Sequence, residues 1–131
     1  MIQIAHFDPE RLERYDSFGG RYTSWEQLVI DTPFCVAAFS EKRRADDLSQ
    51  PWHLWNDELW HIVEGELELE WRDPPMFNTI NRAQSGPGAV LLLTVGTAFR
   101  VHVLTERVRF LWVTMPRPRH FGSAAFFGEE A

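Results

Sequence analysis

Short apolar runs, separated by glycine, proline and charged residues, recur along this chain of 131 residues. Residues 34–39 form an uninterrupted apolar run, which predicts a buried strand. Glu64 and Gly65 provide a turn signal between an apolar run and a stretch that alternates acids with apolar side chains. Further segments have the length and the flanking turn residues of strands: 59–63, 66–71, 89–95, 99–104 and 108–114. The pattern therefore predicts a protein built mainly from short β-strands.

The segments before and between these runs have other signals. Asp8, followed by Pro9, is typical of a helix N-terminus and predicts a short helix that ends near Tyr15. Residues 23–26 have the capping-box pattern of a helix start, but the β-branched residues 28–30 fit a strand equally well, and both alternatives remain open. Residues 41–51 are charged and polar and predict a surface loop, with the basic run 42–44 solvated.

The fold class predicted from these elements is all-β, in the form of a sandwich or barrel with a short N-terminal helical segment. The length suits one domain, residues 1–131. Its barrel core is expected at about residues 28–115, followed by a tail, residues 116–131. Because the tail carries three phenylalanines, we expect it to pack on the barrel or on a partner subunit.

Composition and charge narrow the functional classes. The net charge of −6 argues against a nucleic-acid-binding surface. No apolar stretch approaches the roughly 20 residues of a membrane span, and no signal peptide is evident. The single cysteine, Cys35, excludes an internal disulfide and is expected to be a buried core thiol. These features predict a cytoplasmic protein.

Aromatic residues are abundant, with six tryptophans and ten phenylalanines. Aromatic side chains bury large areas and stiffen a core. They also line pockets for aromatic or polycyclic ligands. Both roles are open at this point.

Two separately spaced motifs carry a family resemblance. In the first, His53 precedes Glu58, which is followed after six residues by Gly65. In the second, Gly88 begins a frame that ends at Phe99. Both spacings are similar to those of the cupin superfamily, of the RmlC-like small single-domain kind. The resemblance implies a double-stranded β-helix, or jelly-roll, barrel.

The resemblance also implies possible metal ligands. Cupins hold a mononuclear divalent metal (Fe, Zn, Mn or Ni) with histidine and glutamate, and His53 and Glu58 stand at two ligand positions. Phe99 replaces the last ligand histidine, so His102 becomes the candidate third ligand, although in an extended strand it faces away from Phe99. A faint similarity to the hydroxyanthranilate dioxygenase branch implies iron chemistry.

The leading functional hypothesis is a small-molecule tailoring enzyme with isomerase- or cyclase-like proton transfer and no required cofactor. His53 and Glu58 are its predicted acid–base pair. The predicted walls, for a largely apolar or aromatic substrate, are Trp52, Trp55, Trp60 and Phe99. The alternatives are a metal-dependent cupin dioxygenase and a non-catalytic ligand-binding cupin. The resemblance also implies a homodimer.

Overall fold

The computed structural model describes residues 2–17, 22–46, 52–53 and 56–115, and for residues 17, 22, 52 and 53 it describes the backbone alone. Within this part of the chain the architecture is two antiparallel β-sheets. The all-β prediction is therefore confirmed. The predicted tail, residues 116–131, and Trp55 lie outside the described residues.

The first sheet has six strands in the order β1-β2-β3-β10-β5-β8. The second sheet has four strands in the order β4-β9-β6-β7. The strand bounds are β1 Glu13–Ser17, β2 Tyr22–Asp31, β3 Val36–Arg43, β4 Trp52–His53, β5 Glu58–Glu64, β6 Leu67–Arg72, β7 Asn81–Ser85, β8 Val90–Leu93, β9 Ala98–Val103 and β10 Arg107–Thr114. No helix in the described residues is long and apolar enough to cross a membrane.

The core lies between the inner faces of the two sheets. Strand β10 alternates buried and half-buried residues along its length, as expected for a strand with one face on the core. Trp60 of the first sheet meets Phe99 of the second edge to face, with ring centres 5.7 Å apart. Trp60 also stacks on Phe110, with ring centres 4.4 Å apart. This aromatic group joins the two sheets and fixes which side chains face the interior.

The turn between β5 and β6 forms where the sequence predicted it. Gly65 has φ +81°, a left-handed conformation that favours glycine. A Cβ atom at this position would lie 2.1 Å from the Arg107 carbonyl oxygen, so no other residue fits without displacement of the backbone. The turn therefore packs directly against the start of β10.

The N-terminal prediction was right in type and wrong in length. A 3-10 helix covers Pro9–Arg11, with Asp8 as its cap. The helix stops there because residues 13–17 pair with β2. Residues 23–26, left open between helix and strand, lie in β2. Pairing with a neighbour on each side outweighs the local capping signal.

The predicted surface loop at residues 41–51 was wrong at its start. Strand β3 continues to Arg43, and both Glu41 and Lys42 are buried. The reason is position in the sheet, because β3 is flanked by β2 and β10. On the outer face, Arg109 donates a 2.7 Å hydrogen bond to Glu41. Arg109 is thus mostly buried.

Cys35 also differs from its prediction. It lies in the connection between β2 and β3, where its side chain is half-buried rather than part of the core. The neighbouring Phe34 is exposed. The strand begins two residues later than the apolar run suggested, because Thr32 closes a turn through hydrogen bonds to the Cys35 backbone.

Candidate functional site

Glu58 is the first residue of β5 and shares the inner face of that strand with Trp60 and Ile62. The Trp60 indole Nε1 donates a 3.0 Å hydrogen bond to the Glu58 carboxyl group. Burial raises the pKa of Glu58 to about 7. The hydrogen bond from Trp60 and the positive charge of Lys42 oppose this rise, whereas the negative charge of Glu26 adds to it. The carboxyl group therefore changes its protonation state near neutral pH.

Lys42 is the last inward-facing residue of β3 and is 2% exposed. Its Nζ donates a 3.3 Å hydrogen bond to Ser24 Oγ. The same atom lies 5.9 Å from the centre of the Trp60 ring and 5.8 Å from that of Phe110. Burial lowers the pKa of Lys42 to about 8, while the nearby carboxylates, with Glu26 first, raise it. A fraction of the amine is thus uncharged at neutral pH.

Glu26 of β2 is the centre of a buried hydrogen-bond network. Ser24 donates to one carboxyl oxygen at 2.5 Å. The other oxygen accepts from Trp112 Nε1 at 2.9 Å and from the Ser40 hydroxyl group. Since Ser24 also accepts from Lys42, a continuous chain of hydrogen bonds joins the ammonium group to the Glu26 carboxyl group.

The two interior glutamates differ in their surroundings. Burial raises the pKa of Glu26, but Lys42 and three hydrogen-bond donors oppose the rise and favour the ionised form. For Glu58, Trp60 is the one hydrogen-bond donor among the described residues. We therefore assign Glu26 as the hydrogen-bonded partner that holds Lys42 through Ser24, and Glu58 as the group that exchanges a proton.

The backbones of Lys42 and Glu58 lie at opposite ends of the first sheet. Strands β3 and β5 are both antiparallel to β10 and so run in the same direction, with Lys42 near the end of β3 and Glu58 at the start of β5. The lysine side chain and the Trp60 ring cover the distance between them. The result is an aromatic ring with an amine near its face and a carboxyl group at its indole nitrogen.

The predicted site residues are placed as follows. Trp60 and Phe99 are buried in the interior and touch each other. His53 and Trp52 form β4, whose backbone pairs with Ala98 and Phe99 of β9. This pairing puts the predicted histidine on the second sheet, opposite the sheet that holds Glu58. The side chains of residues 52 and 53 and all of Trp55 lie outside the described part, and their roles stay predictions.

The structure does not bring His102 to Glu58. His102 lies on the outer face of β9, where its Nε2 is 3.5 Å from Glu70 Oε1. The inner face of β9 carries Phe99 and Val101 instead. Among the described residues no three of His, Cys, Asp and Glu converge to hold a metal ion. The interior carboxyl groups are accompanied by an ammonium group, so the described donor set does not fit a divalent cation.

A cavity of about 310 Å³ opens beside Phe99, between strands β6, β7 and β8. Trp71, Leu91 and Phe99 give it an apolar wall, and Thr97 adds a hydroxyl group. Its volume matches that of a small organic ligand. Sequence analysis named Phe99 as a pocket residue but did not name Trp71.

Sequence analysis also missed Glu26, Lys42, Ser24 and Ser40. The signal that could have found Lys42 and Ser40 is period two, because residues 36, 38, 40 and 42 share one face of β3. Ser24 lies two residues before Glu26 on the same face of β2. The charged residues at positions 41–44 concealed this period. For Glu26 the competing capping-box pattern concealed the strand.

Comparison with known proteins places the fold. No family model and no curated protein matches the sequence. Solved structures do match, including KdgF from Halomonas sp., with 18% identity, a TM-score of 0.63, and coverage of 88% of this chain and 96% of that chain. An RmlC-like cupin with a double-stranded β-helix from Methanocaldococcus jannaschii matches with 12% identity, a TM-score of 0.63, and coverage of 94% and 99%.

A third similar structure is Fe(II)-HppE with an alternative substrate, at 14% identity and a TM-score of 0.61, covering 85% of this chain and 60% of that chain. The described structure and these neighbours together define the fold. The chain has the cupin fold, a double-stranded β-helix, and the prediction from the two sequence motifs is confirmed. Identities this low establish the fold alone. The similarity to the hydroxyanthranilate branch stays a prediction.

Proposed function

We propose that this protein is a small-molecule tailoring enzyme that transfers a proton to and from a carbon atom of its substrate, as isomerases and cyclases do. One observation carries the proposal: Glu58 faces the barrel interior, next to an aromatic wall, with a pKa of about 7. A general base or acid is most effective when its pKa lies near the working pH. An interior carboxyl group of this kind can both accept and return a proton.

The neighbouring residues have distinct roles in this proposal. The hydrogen bond from Trp60 holds one oxygen of Glu58 in place and leaves the other for the substrate. Lys42 provides a positive charge that stabilises the enolate formed when a proton leaves a carbon next to a carbonyl group. Glu26 holds Lys42 through Ser24. Trp60 and Phe99 provide an apolar surface for the substrate.

His53 completes the predicted pair. The backbone of β4 puts this residue beside Ala98, on the sheet that faces Glu58. We propose that its imidazole ring takes the second proton of the reaction. The variant His53→Ala is expected to reduce turnover.

Hydrogen–deuterium exchange tests the proposal without knowledge of the natural substrate. Phenylacetone, an aromatic ketone, is incubated with the protein in D₂O, and loss of the methylene proton signal is followed by NMR. We expect the wild-type protein to accelerate exchange and Glu58→Gln to reduce that acceleration at least about 10-fold. Glu66→Gln, at an exposed glutamate, is the matched control and should exchange like the wild type. Equal rates in the Glu58→Gln and Glu66→Gln variants would remove Glu58 from the reaction.

A further inference from the structure

The chain contains a single lysine. Of its 13 basic residues, 12 are arginines, and the remaining one is Lys42. Arginines carry the basic charge of the outer strand faces, as in the Arg107 and Arg109 pairs with Glu64 and Glu41. The one side-chain amine is buried inside the barrel instead. An arginine would supply the same positive charge, but a lysine amine can also lose its proton and act as a nucleophile.

The surroundings of Lys42 suit a nucleophilic amine. The rings of Trp60 and Phe110 lie within 6 Å of Nζ and give the amine an apolar, aromatic surrounding. The Glu26 carboxyl group is connected to the amine through Ser24 and can accept a proton from it. The Glu58 carboxyl group, at the other side of Trp60, can supply or remove another proton. The lowered pKa of Lys42 supports this role.

We infer that Lys42 forms a covalent imine with a ketone or aldehyde bound in the barrel. The role of Glu58 in this inference rests on the proposed function. The imine adds the substrate class, which is carbonyl compounds. A ligand joined to Nζ would lie along the Trp60 ring, with the carbon next to its carbonyl carbon directed toward Glu58. The iminium group then acidifies the proton that Glu58 removes.

The covalent step balances without an oxidant or a cofactor. Lys42 gives one proton through Ser24 to Glu26, and its lone pair attacks the carbonyl carbon. The carbonyl oxygen takes a proton from protonated Glu58, and a second proton, returned from Glu26, lets it leave as water. The attached nitrogen, which has no lone pair after the attack, gives one proton to the Glu58 carboxylate, and the lone pair that this restores forms the C=N bond as water leaves. Overall, one ammonium group and one carbonyl group give one protonated imine and one water, and hydrolysis reverses the reaction.

Labelling with 2,4-pentanedione tests the inference, since this diketone forms a stable enaminone with an uncharged amine. Mass spectrometry with peptide mapping distinguishes Lys42 from the α-amino group, the one other aliphatic amine of the chain. At pH 7 we expect labelling of Lys42 to be about 100-fold faster in the folded protein than in urea, because unfolding returns the amine to its ordinary pKa. Slower labelling of Lys42 in the folded protein than in urea would overturn the inference.

Trapping with phenylacetone and cyanoborohydride tests the imine itself. The wild-type protein should gain the reduced ketone adduct at Lys42, and Lys42→Arg should retain the charge and lose the adduct. The same variants separate the two proposals in the exchange assay. If Lys42→Arg exchanges the ketone protons as fast as the wild type while Glu58→Gln does not, the imine is wrong and the proton-transfer function stands. If that variant does not fold, the comparison of folded and unfolded wild-type protein still decides.

Discussion

Lys42 and Trp60 form the contact on which the interior site depends, with Nζ 5.9 Å from the centre of the indole ring. The same indole donates its N–H to Glu58. One ring therefore connects a buried amine with a buried carboxyl group that begin at opposite ends of the sheet. Both groups have pKa values moved toward neutrality by burial, so both can change protonation state near neutral pH, where an ordinary glutamate or lysine keeps its charge.

Protein stability should be lowest between about pH 7 and about pH 8. Between pH 4.5 and about 7 the native state holds more protons than the unfolded state because the pKa of Glu58 is raised, so stability falls as pH rises. Between about pH 8 and 10.5 the unfolded state holds more protons because the pKa of Lys42 is lowered, so stability rises again. Urea unfolding across this range measures the effect.

Two variants test which residue causes each side of the stability minimum. Glu58→Gln should reduce the fall on the acidic side, where the raised pKa of Glu58 costs up to about 3 kcal/mol of the free energy of unfolding. The raised pKa of Glu26 adds a fall of the same sign, which this variant retains. Lys42→Met should flatten the rise on the alkaline side. If the free energy of unfolding of the wild-type protein instead rises steadily from pH 4.5 to neutrality, the protonation states assigned to the interior residues are contradicted.

Gly65→Ala should destabilise the protein far more than Gly88→Ala. Both glycines have positive φ, which costs a non-glycine residue about 1–2 kcal/mol. At Gly65 the new Cβ would also overlap the Arg107 carbonyl oxygen, whereas at Gly88 no atom lies within 4 Å. We expect a loss of more than about 3 kcal/mol for Gly65→Ala and about 1–2 kcal/mol for Gly88→Ala, measured by urea unfolding. Equal losses would show that the turn can move away from β10.

Glu41→Gln should weaken the outer face of the first sheet. Burial alone would raise the pKa of Glu41, but hydrogen bonds from Arg109 and Arg43 outweigh it and lower the pKa. Because Glu41 is 2% exposed, its loss leaves Arg109 without its main partner, and we expect a cost of about 3 kcal/mol. The control is Glu70→Gln, which breaks a pair with the exposed Arg82 and should cost less than about 1 kcal/mol. Similar costs would argue against a buried pair.

The fold was predictable because its signals are local. Apolar runs and alternation place β5, β6, β8, β9 and β10, although β7 was not predicted, and Gly65 and Gly96 provide turns whose positive φ the sequence implies. The inward direction of Glu58 and the outward direction of His102 follow from the same period. These features need no knowledge of which strands are neighbours.

The interior network was not predictable in the same way. Lys42 follows Glu41 and precedes two arginines, a local pattern typical of a solvated loop. It is buried because β3 pairs with β2 on one side and with β10 on the other. Glu26 becomes an interior residue through the same pairing. Such contacts join residues far apart in the chain, and a single sequence does not contain them.

An NMR titration of protein labelled with ¹³C at the glutamate carboxyl carbons measures the protonation of Glu58 itself. We expect a Glu58 resonance with a midpoint near pH 7, absent from the Glu58→Gln variant and moved to higher pH in Lys42→Met, where the neighbouring positive charge is gone. If the resonance assigned to Glu58 titrates at the ordinary glutamate pKa of 4.5, the carboxyl group is solvated and the proton-transfer site is contradicted.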